Sequence, residues 1–261
     1  MTRALILAAG EGKRLRPLTN KQPKCLVELG GKSLLMRQIN TLKQSNIHDI
    51  AIVTGHYSTC IETLGFTTYK NSNYETSNMV ASLFSAIPFF EKSKEDVVIS
   101  YGDIVYETKN LHALLESNDE IAIMIDKKWL DLWSVRMSNP LQDAETLKLD
   151  DDHYITELGK KPTDLNQIQG QYTGLIKFRR DTIKRLINFY QSLDRNLSYD
   201  NNHFDNMYMT TLLQLLIDNG WKAKAVIVNH GWLEVDSLED LNNYTTLLAQ
   251  DRLSILYNME T

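Results

Sequence analysis

Cysteine occurs only twice in 261 residues, as Cys25 and Cys60, too few for the disulfide framework that staples small secreted folds. Glycine (12) and proline (5) are far scarcer than in linkers, collagens or low-complexity chains. No apolar run approaches the ~18 residues of a membrane span. Behind Arg3, the stretch Ala4-Leu5-Ile6-Leu7-Ala8-Ala9 is shorter than a usual signal-peptide core. The six histidines show no metal-ligand spacing and there is no Cys-x-x-Cys. An excess of positive charge is also missing: 28 basic residues face 33 acidic ones, a net −5 that argues against coating nucleic acid or anionic membrane. What is present, 43% hydrophobic and 23% charged residues, suffices for a full core. The expectation is one domain over 1–261 in a reducing cytoplasm, with no nucleic-acid or membrane partner and with homo-oligomer formation open.

The charge is unevenly spread. Residues 1–37 hold eight lysines and arginines against Glu11 and Glu28, a local +6 that leaves −11 for the rest. The apolar run 4–9 is too short for a helix and meets Gly10-Glu11-Gly12 at once, which reads as a buried strand entering a glycine-rich loop. A helix is expected over 33–45, with Ser33 as its cap and Leu34, Leu35, Ile39 and Leu42 on one face. Further strands are expected at Asp49 to Thr54 and Val97 to Ser100, with a helix from Ser77 to Phe90 between them. Such alternation predicts a Rossmann-like α/β fold, a mostly parallel sheet covered on both faces. After about residue 127, Trp133 to Met137, Thr146 to Leu149, Tyr154 to Leu158 and Tyr172 to Phe178 read as short antiparallel strands forming a small lobe. Helices over 180–192 and 204–218, a strand at Ala223 to Val228 and a helix from Ser237 close the chain.

The densest constellation is Leu7-Ala8-Ala9-Gly10-Glu11-Gly12-Lys13-Arg14-Leu15-Arg16-Pro17-Leu18-Thr19, followed by Pro23-Lys24-Cys25-Leu26-Val27. Gly10 and Gly12 let backbone amides approach an anion, and Lys13, Arg14, Arg16, Lys21 and Lys24 suit a polyphosphate. A dinucleotide fingerprint would need glycine where Leu15 stands, and a Walker loop would need Gly-Lys-Ser or Gly-Lys-Thr. A merely solvated basic loop is the bland alternative.

Residues 7–24 resemble the signature of the nucleotidyltransferases that join an NTP to a sugar phosphate or small phosphorylated alcohol and release pyrophosphate. The resemblance implies a nucleotide-diphospho-sugar transferase-like fold, with a nucleotide-binding half over 1–127 and an acceptor-binding half over 128–261. It implies that Leu7, Ala8, Ala9, Gly10, Glu11, Gly12 and Lys13 receive base and phosphates, that Arg14 grips the triphosphate and that Lys24 stabilises the reacting phosphates. Tyr101-Gly102-Asp103 and Trp232-Leu233-Glu234-Val235-Asp236 fall where the family keeps nucleotide contacts and Mg²⁺ ligands, which implies Asp103, Glu234 and Asp236 as the metal set. In isolation Asp103 reads as a turn residue, Glu234 as a solvent-facing strand residue and Asp236 as a helix-start residue. Glu157-Leu158-Gly159-Lys160-Lys161-Pro162 resembles the segment with a second lysine for the acceptor phosphate, and its alignment favours Lys161 over Lys160.

The phrase Asn73-Tyr74-Glu75-Thr76-Ser77-Asn78-Met79 looks like the phosphocholine-type cytidylyltransferases and implies CTP, with Asn78 either on cytosine or capping a helix. Trp129, Trp133, Arg136, Asp143 and Glu145 combine indoles, carboxylates and a guanidinium, a set suited to a zwitterionic acceptor, whereas a sugar needs neutral partners. Trp133, Arg136, Asp143 and Glu145, with Tyr172, are the expected acceptor site. The stretch is most similar to the CTP:phosphoglutamine cytidylyltransferases of capsule phosphoramidate biosynthesis. The competing reading makes Trp129 and Trp133, four apart, one core-facing helical stripe.

Overall fold

The structure, a computed structural model, describes residues 2–92 and 94–260. Seven strands build the central sheet: β1 (Thr2–Ala8), β2 (Ile50–Thr54), β3 (Thr67–Lys70), β4 (Asp96–Tyr101), β5 (Ile121–Asp126), β6 (Gln171–Phe178) and β7 (Ala223–Val228), in the order β7-β5-β6-β4-β1-β2-β3. All run parallel except β6, which is antiparallel to both of its neighbours. Alternate residues of β1 enter opposite cores: Ala4, Ile6 and Ala8 pack on one face, Leu5 and Leu7 on the other. A strand buried on both faces needs an unbroken apolar run, which is why 4–9 has no polar alternation.

The helix expected at 33–45 is Leu34–Gln44, with the Ser33 hydroxyl accepting from the Met36 amide. The single helix expected over 77–90 is two, Met79–Ser85 and Ile87–Glu91, because Pro88 lacks the amide that would continue the ladder. Helices over Ile183–Ser192, Met209–Asp218 and Leu238–Ala249 answer the three expected late in the chain, the second beginning after a short turn at Phe204–Asn206. Strands β3 and β5 and a helix at Thr108–Glu116 come in addition.

One strand expectation is overturned. Trp133 to Met137 is not extended; Trp129–Arg136 is a helix whose buried residues Trp129, Leu132, Trp133 and Arg136 recur every three or four positions. That spacing gives one apolar face only with a helical period, which outweighs the β preference of the aromatic and valine residues.

Two small features shape the carboxyl end of the sheet. Ile104–Tyr106 pairs antiparallel with Trp232–Glu234, so Glu234 stands opposite Ile104 and the Val235 amide donates to the Asp103 carbonyl at 3.0 Å. The β6 register against β5 breaks between Tyr172 and Ile176, where Gly174 has φ +84° and packs so closely on Tyr101 that a Cβ would stand 2.8 Å from its ring. Beside it, the Gly102 amide donates to the Leu7 carbonyl at 2.8 Å and locks the ends of β4 and β1. A Cβ on Gly102 would lie 2.8 Å from that oxygen and 3.0 Å from the Ala8 Cα. Gly102→Ala should therefore force the strand ends apart and cost about 1–3 kcal/mol, read as a lower urea midpoint at unchanged slope. An unaltered midpoint would show more room there than the contacts allow.

Candidate active site

The loop leaving β1 folds back on itself. The Thr19 hydroxyl donates to the Gly12 carbonyl at 2.8 Å, and Gly12, at φ +63°, lies against the Lys24 stem, where a Cβ would come within 2.9 Å. This packing aims Lys24 at the sheet end. Its Nζ donates to Asp103 Oδ2 at 2.7 Å and to Asp236 Oδ1 at 2.6 Å, joining segments far apart in sequence. Burial works against the ammonium, yet Asp103, Asp236 and Glu234 together hold its pKa above the ordinary lysine value. Burial likewise opposes ionisation of Asp236, but Lys24 and Arg14 outweigh it and keep that carboxyl below the usual range. Arg14, largely exposed, ion-pairs with Asp236. Lys13 and Arg16 turn instead to Glu11, at 3.1 and 3.6 Å.

A cavity of about 640 Å³ opens beside Lys24. Leu7, Ala8, Ala9 and Gly10 form one wall; Asn78, Tyr101, Gly102 and Asp103 form another. Glu11, Gly12 and Lys13 do not line it. Asn78 caps the helix Met79–Ser85, its Oδ1 accepting from the Met79 amide at 2.8 Å, which leaves its amino group and the second lone pair of Oδ1 to offer a ligand. Tyr74, Ser77, Met79, Ser82 and Cys25 complete the lining without having been singled out as contacts. Tyr74, Ser77 and Met79 belong to the 73–79 phrase, whereas Ser82 and Cys25 give no signal beyond proximity to it and to Lys24. Burial pushes the Cys25 thiol up to about 12, so it lines the wall as a neutral group.

A second cavity, also about 640 Å³, adjoins the first and shares Met79 and Tyr101 with it. Trp133, Asp143, Glu145 and Tyr172 line it, together with Glu234, Gln171, Tyr208 and Thr210. Its lining contains three carboxylates and no lysine or arginine. Asp143 accepts from the Trp133 indole at 3.1 Å. Burial, reinforced by the nearby Asp143 charge, raises the Glu145 carboxyl to about 7. Burial raises Glu234 to about 7 as well, against the pull of Arg136. Tyr208 and Thr210 lie in a loop and helix start whose polar residues look no different from solvent-facing ones.

Two expected acceptor contacts are not among this lining. Arg136 is 4% exposed and its guanidinium is taken by Glu234 at 2.6 Å and Asp240 at 3.1 Å. It stands behind the wall because helix Trp129–Arg136 turns it inward. Lys161 is exposed and donates to the Gln142 carbonyl, next to Asp143; Lys160 pairs with Glu157. The three-carboxylate metal set is also not assembled. Among the described residues no group of three or more His, Cys, Asp or Glu side chains is arranged to hold a metal ion, and Glu234 is ion-paired with Arg136. Asp103 and Asp236 remain close through Lys24, and Asp103 Oδ1 is buried with no hydrogen-bond partner. A carboxylate pair with an unpartnered oxygen fits Mg²⁺, which takes one or two carboxylates and completes its shell with phosphate oxygens and water.

Comparison with known proteins agrees with this arrangement. The model of the MobA-like NTP transferase domain matches residues 4–153. CTP:phosphoglutamine cytidylyltransferase of Campylobacter jejuni subsp. jejuni serotype O:2 is 44% identical over 247 residues, 91% of this chain and 97% of that protein. Among solved structures, the inositol-1-phosphate CTP transferase from T. maritima matches with a TM-score of 0.74 at 22% identity, over 98% of this chain and 96% of that one. The CTP:phosphocholine cytidylyltransferase from Streptococcus pneumoniae matches with 0.69 at 20% identity, over 95% and 99%. The two structures extend the likeness to the fold, that of the nucleotide-diphospho-sugar transferases. With the domain matched over more than half its length and a relative matched almost end to end, the chain belongs to the nucleotidyltransferases built on the MobA-like NTP transferase domain.

Proposed function

We propose that this nucleotidyltransferase moves CMP from CTP onto the phosphate or phosphonate of a small amine-bearing acceptor, with release of pyrophosphate. Phosphoglutamine is the best-supported acceptor, capsule phosphoramidate biosynthesis the fitting pathway and the cytoplasm the fitting site. The carrying observation is the pair of adjoining cavities, one lined by Lys24 and Asp103, the other by Asp143, Glu145 and Glu234. The name of the 44%-identical relative supports the same reaction.

In this reading Leu7 to Gly10, Asn78, Tyr101 and Gly102 hold the nucleotide, with Glu11, Gly12 and Lys13 shaping the loop around it. An oxygen of the acceptor phosphate attacks the α-phosphorus and pyrophosphate departs. That oxygen is already anionic near neutrality, so alignment and charge stabilisation suffice without a general base. Lys24 neutralises charge as it builds, and the exposed Arg14 turns to the outer phosphates. Lys161, held by the Gln142 carbonyl beside Asp143, stands at the end this reading gives to the amine, so the acceptor phosphate falls to Lys24. Asp103 and Asp236 would hold Mg²⁺, which supplies Lewis-acid polarisation of the phosphates. Trp133, Asp143 and Glu145 receive the acceptor's amine, and the unpartnered Tyr172 hydroxyl offers a neutral donor to a carboxylate. The test is pyrophosphate release over four NTPs against phosphoglutamine, phosphocholine, aminoethylphosphonate and glucose-1-phosphate. Highest kcat/KM with glucose-1-phosphate would overturn the acceptor assignment.

Lys24→Met should lower kcat on the order of 10²–10³-fold, the usual effect of removing one preorganised donor from a reacting centre, with the CTP KM changed little. Equal, small effects on both parameters would return the loop to a solvated role.

CTP should be preferred over UTP. The Asn78 amino group is a donor, and a donor that suits N3 of cytosine meets an N–H in uracil. One such mismatch costs about 1–3 kcal/mol, a factor of about 5–150 in kcat/KM. Asn78→Asp should narrow that preference, and an unchanged ratio would take Asn78 off the base.

Acceptor recognition should depend on pH through Glu145. Its carboxyl ionises near 7, so below that value an acceptor ammonium must first displace a proton. The KM of amine-bearing acceptors should fall as pH rises through about 7 and level off above it. Glu145→Gln should flatten the profile for phosphocholine and phosphoglutamine and leave glucose-1-phosphate unaffected, which controls for titration of the acceptor phosphate. Stability has the opposite sense: because the folded state binds this proton more tightly than the unfolded chain, stability falls as pH rises from 4.5 to about 7.

A further inference from the structure

Arg136 closes the helix Trp129–Arg136 with its side chain only 3% exposed. Its Nη1 lies 2.6 Å from Glu234 Oε2 and 3.9 Å from Asp143 Oδ2, both in the acceptor-side wall. Its Nε donates to Asp240 Oδ1 at 3.1 Å. The other oxygen of Asp240 accepts the backbone amides of Asp236 at 3.0 Å and Ser237 at 2.9 Å, while the Ser237 hydroxyl accepts from the Asp240 amide at 3.1 Å. One guanidinium thus fastens the turn that presents Asp236 through a hydrogen bond to Asp240 and ion-pairs with the carboxylate that walls the second cavity.

We propose that Arg136 is a positioning residue that sets the Asp236 carboxylate through Asp240 and holds Glu234 away from it, so that Asp236 and Asp103 form the cation site of the nucleotide complex. The inference rests on the cytidylyl-transfer reading. Three features favour it over a packing role. Asp240 fixes the backbone of the very residue that receives Lys24, so a change at Arg136 reaches Asp236 through two bonds. Arg136 answers two carboxylates at once, hydrogen-bonding Asp240 through Nε and standing 2.6 Å from Glu234 through Nη1, whereas a lysine has one point charge for both. Without this arginine Glu234, two residues before Asp236, loses that ion pair and is freed to compete for the same cation.

The experiment compares wild type, Arg136→Lys, Asp240→Asn and the double variant, each checked by thermal melting. Read-outs are kcat, the KM of CTP and of acceptor, and the affinity for Mn²⁺ in the presence of CTP, followed by the electron paramagnetic resonance of free Mn²⁺. Each single variant should melt cooperatively, lose about 10–100-fold in kcat and weaken Mn²⁺ to a similar degree, the range typical of removing a partner that orients a metal ligand. The CTP KM should stay within about threefold, and the double variant should be no worse than the poorer single, since both act on one path. Unchanged Mn²⁺ affinity with a raised acceptor KM would make Arg136 a direct acceptor ligand and overturn the proposal. Additive losses, or loss of cooperative melting in both single variants, would overturn it in favour of separate or purely structural roles. Mn²⁺ binding needs no acceptor, so a wild type that binds Mn²⁺ with CTP yet releases no pyrophosphate would sink the transfer reading while the comparison still decides on Arg136.

Discussion

A single buried ammonium holds the two ends of this chain together. Lys24 sits between Asp103 and Asp236, and each partner comes from a different part of the fold: the loop after β1, the turn after β4 and the turn before the last long helix. Buried ion pairs of this kind add little net stability, because desolvating three charges cancels most of the attraction between them. Their geometry must be supplied by the rest of the fold. Gly12 supplies it for Lys24 by letting the loop lie on its stem, and Gly102 supplies it for Asp103 by letting β4 close on β1. For Asp236 it comes from the pairing of Trp232–Glu234 with Ile104–Tyr106. Lys24 and Arg14 balance Asp103 and Asp236 in charge, and the one Asp103 oxygen that is buried without a hydrogen-bond partner is the atom a further cation would meet.

The sheet explains why there are two cavities. Six strands end at one side, and the reversed strand β6 brings its start, Gln171 to Gly174, to that same side. Its register break lets Gly174 pass under Tyr101 and sets Tyr101 edge-on to Tyr172 at 5.7 Å. These rings, with Met79, form the partition: glycine-rich backbone and Lys24 on one side, indole and carboxylates on the other.

Much of this was legible in the sequence, and what was legible has a common physical character. The short apolar runs of β1, β2, β4 and β7 announce doubly buried strands, and Ser33 and Ser237 announce helix starts. Leu7 to Gly10, Lys24 and Asp103 can be named because residues 7–24 and 101–103 resemble the nucleotidyltransferase signature, whereas Asp103 alone reads as a turn residue. Arg136 could not be read correctly: its neighbours in sequence, Trp133 and Asp143, face the cavity, while a helical turn of its own segment points it behind the wall to Asp240, about a hundred residues later. The strand expected at Trp133 gives way for the same reason, and the competing reading of Trp129 and Trp133 as one core-facing helical stripe holds, because buried residues spaced by three and four share a face only in a helix. Thr210 and Tyr208 were invisible because only tertiary placement separates them from solvent-facing residues.

The charge layout across the partition has a consequence for orientation. The cations of the site, Lys24 and Arg14, lie at the nucleotide side, and the acceptor-side lining is acidic with its one nearby guanidinium turned inward. In a low-dielectric cleft such a gradient orders a molecule with a negative and a positive end far more strongly than a neutral polar one. On the proposed transfer reading, a phosphorylated amine would enter with its phosphate toward Lys24 and its ammonium toward Glu145 and Asp143, the alignment that satisfies both ends. A sugar phosphate has the negative end alone, and its hydroxyls would face carboxylates whose second lone pairs they cannot all satisfy. Discrimination by the acceptor cavity thus follows from the placement of one buried arginine: with Arg136 withdrawn behind Glu234, nothing in the lining offsets the negative wall, and the cavity is left complementary to a cation.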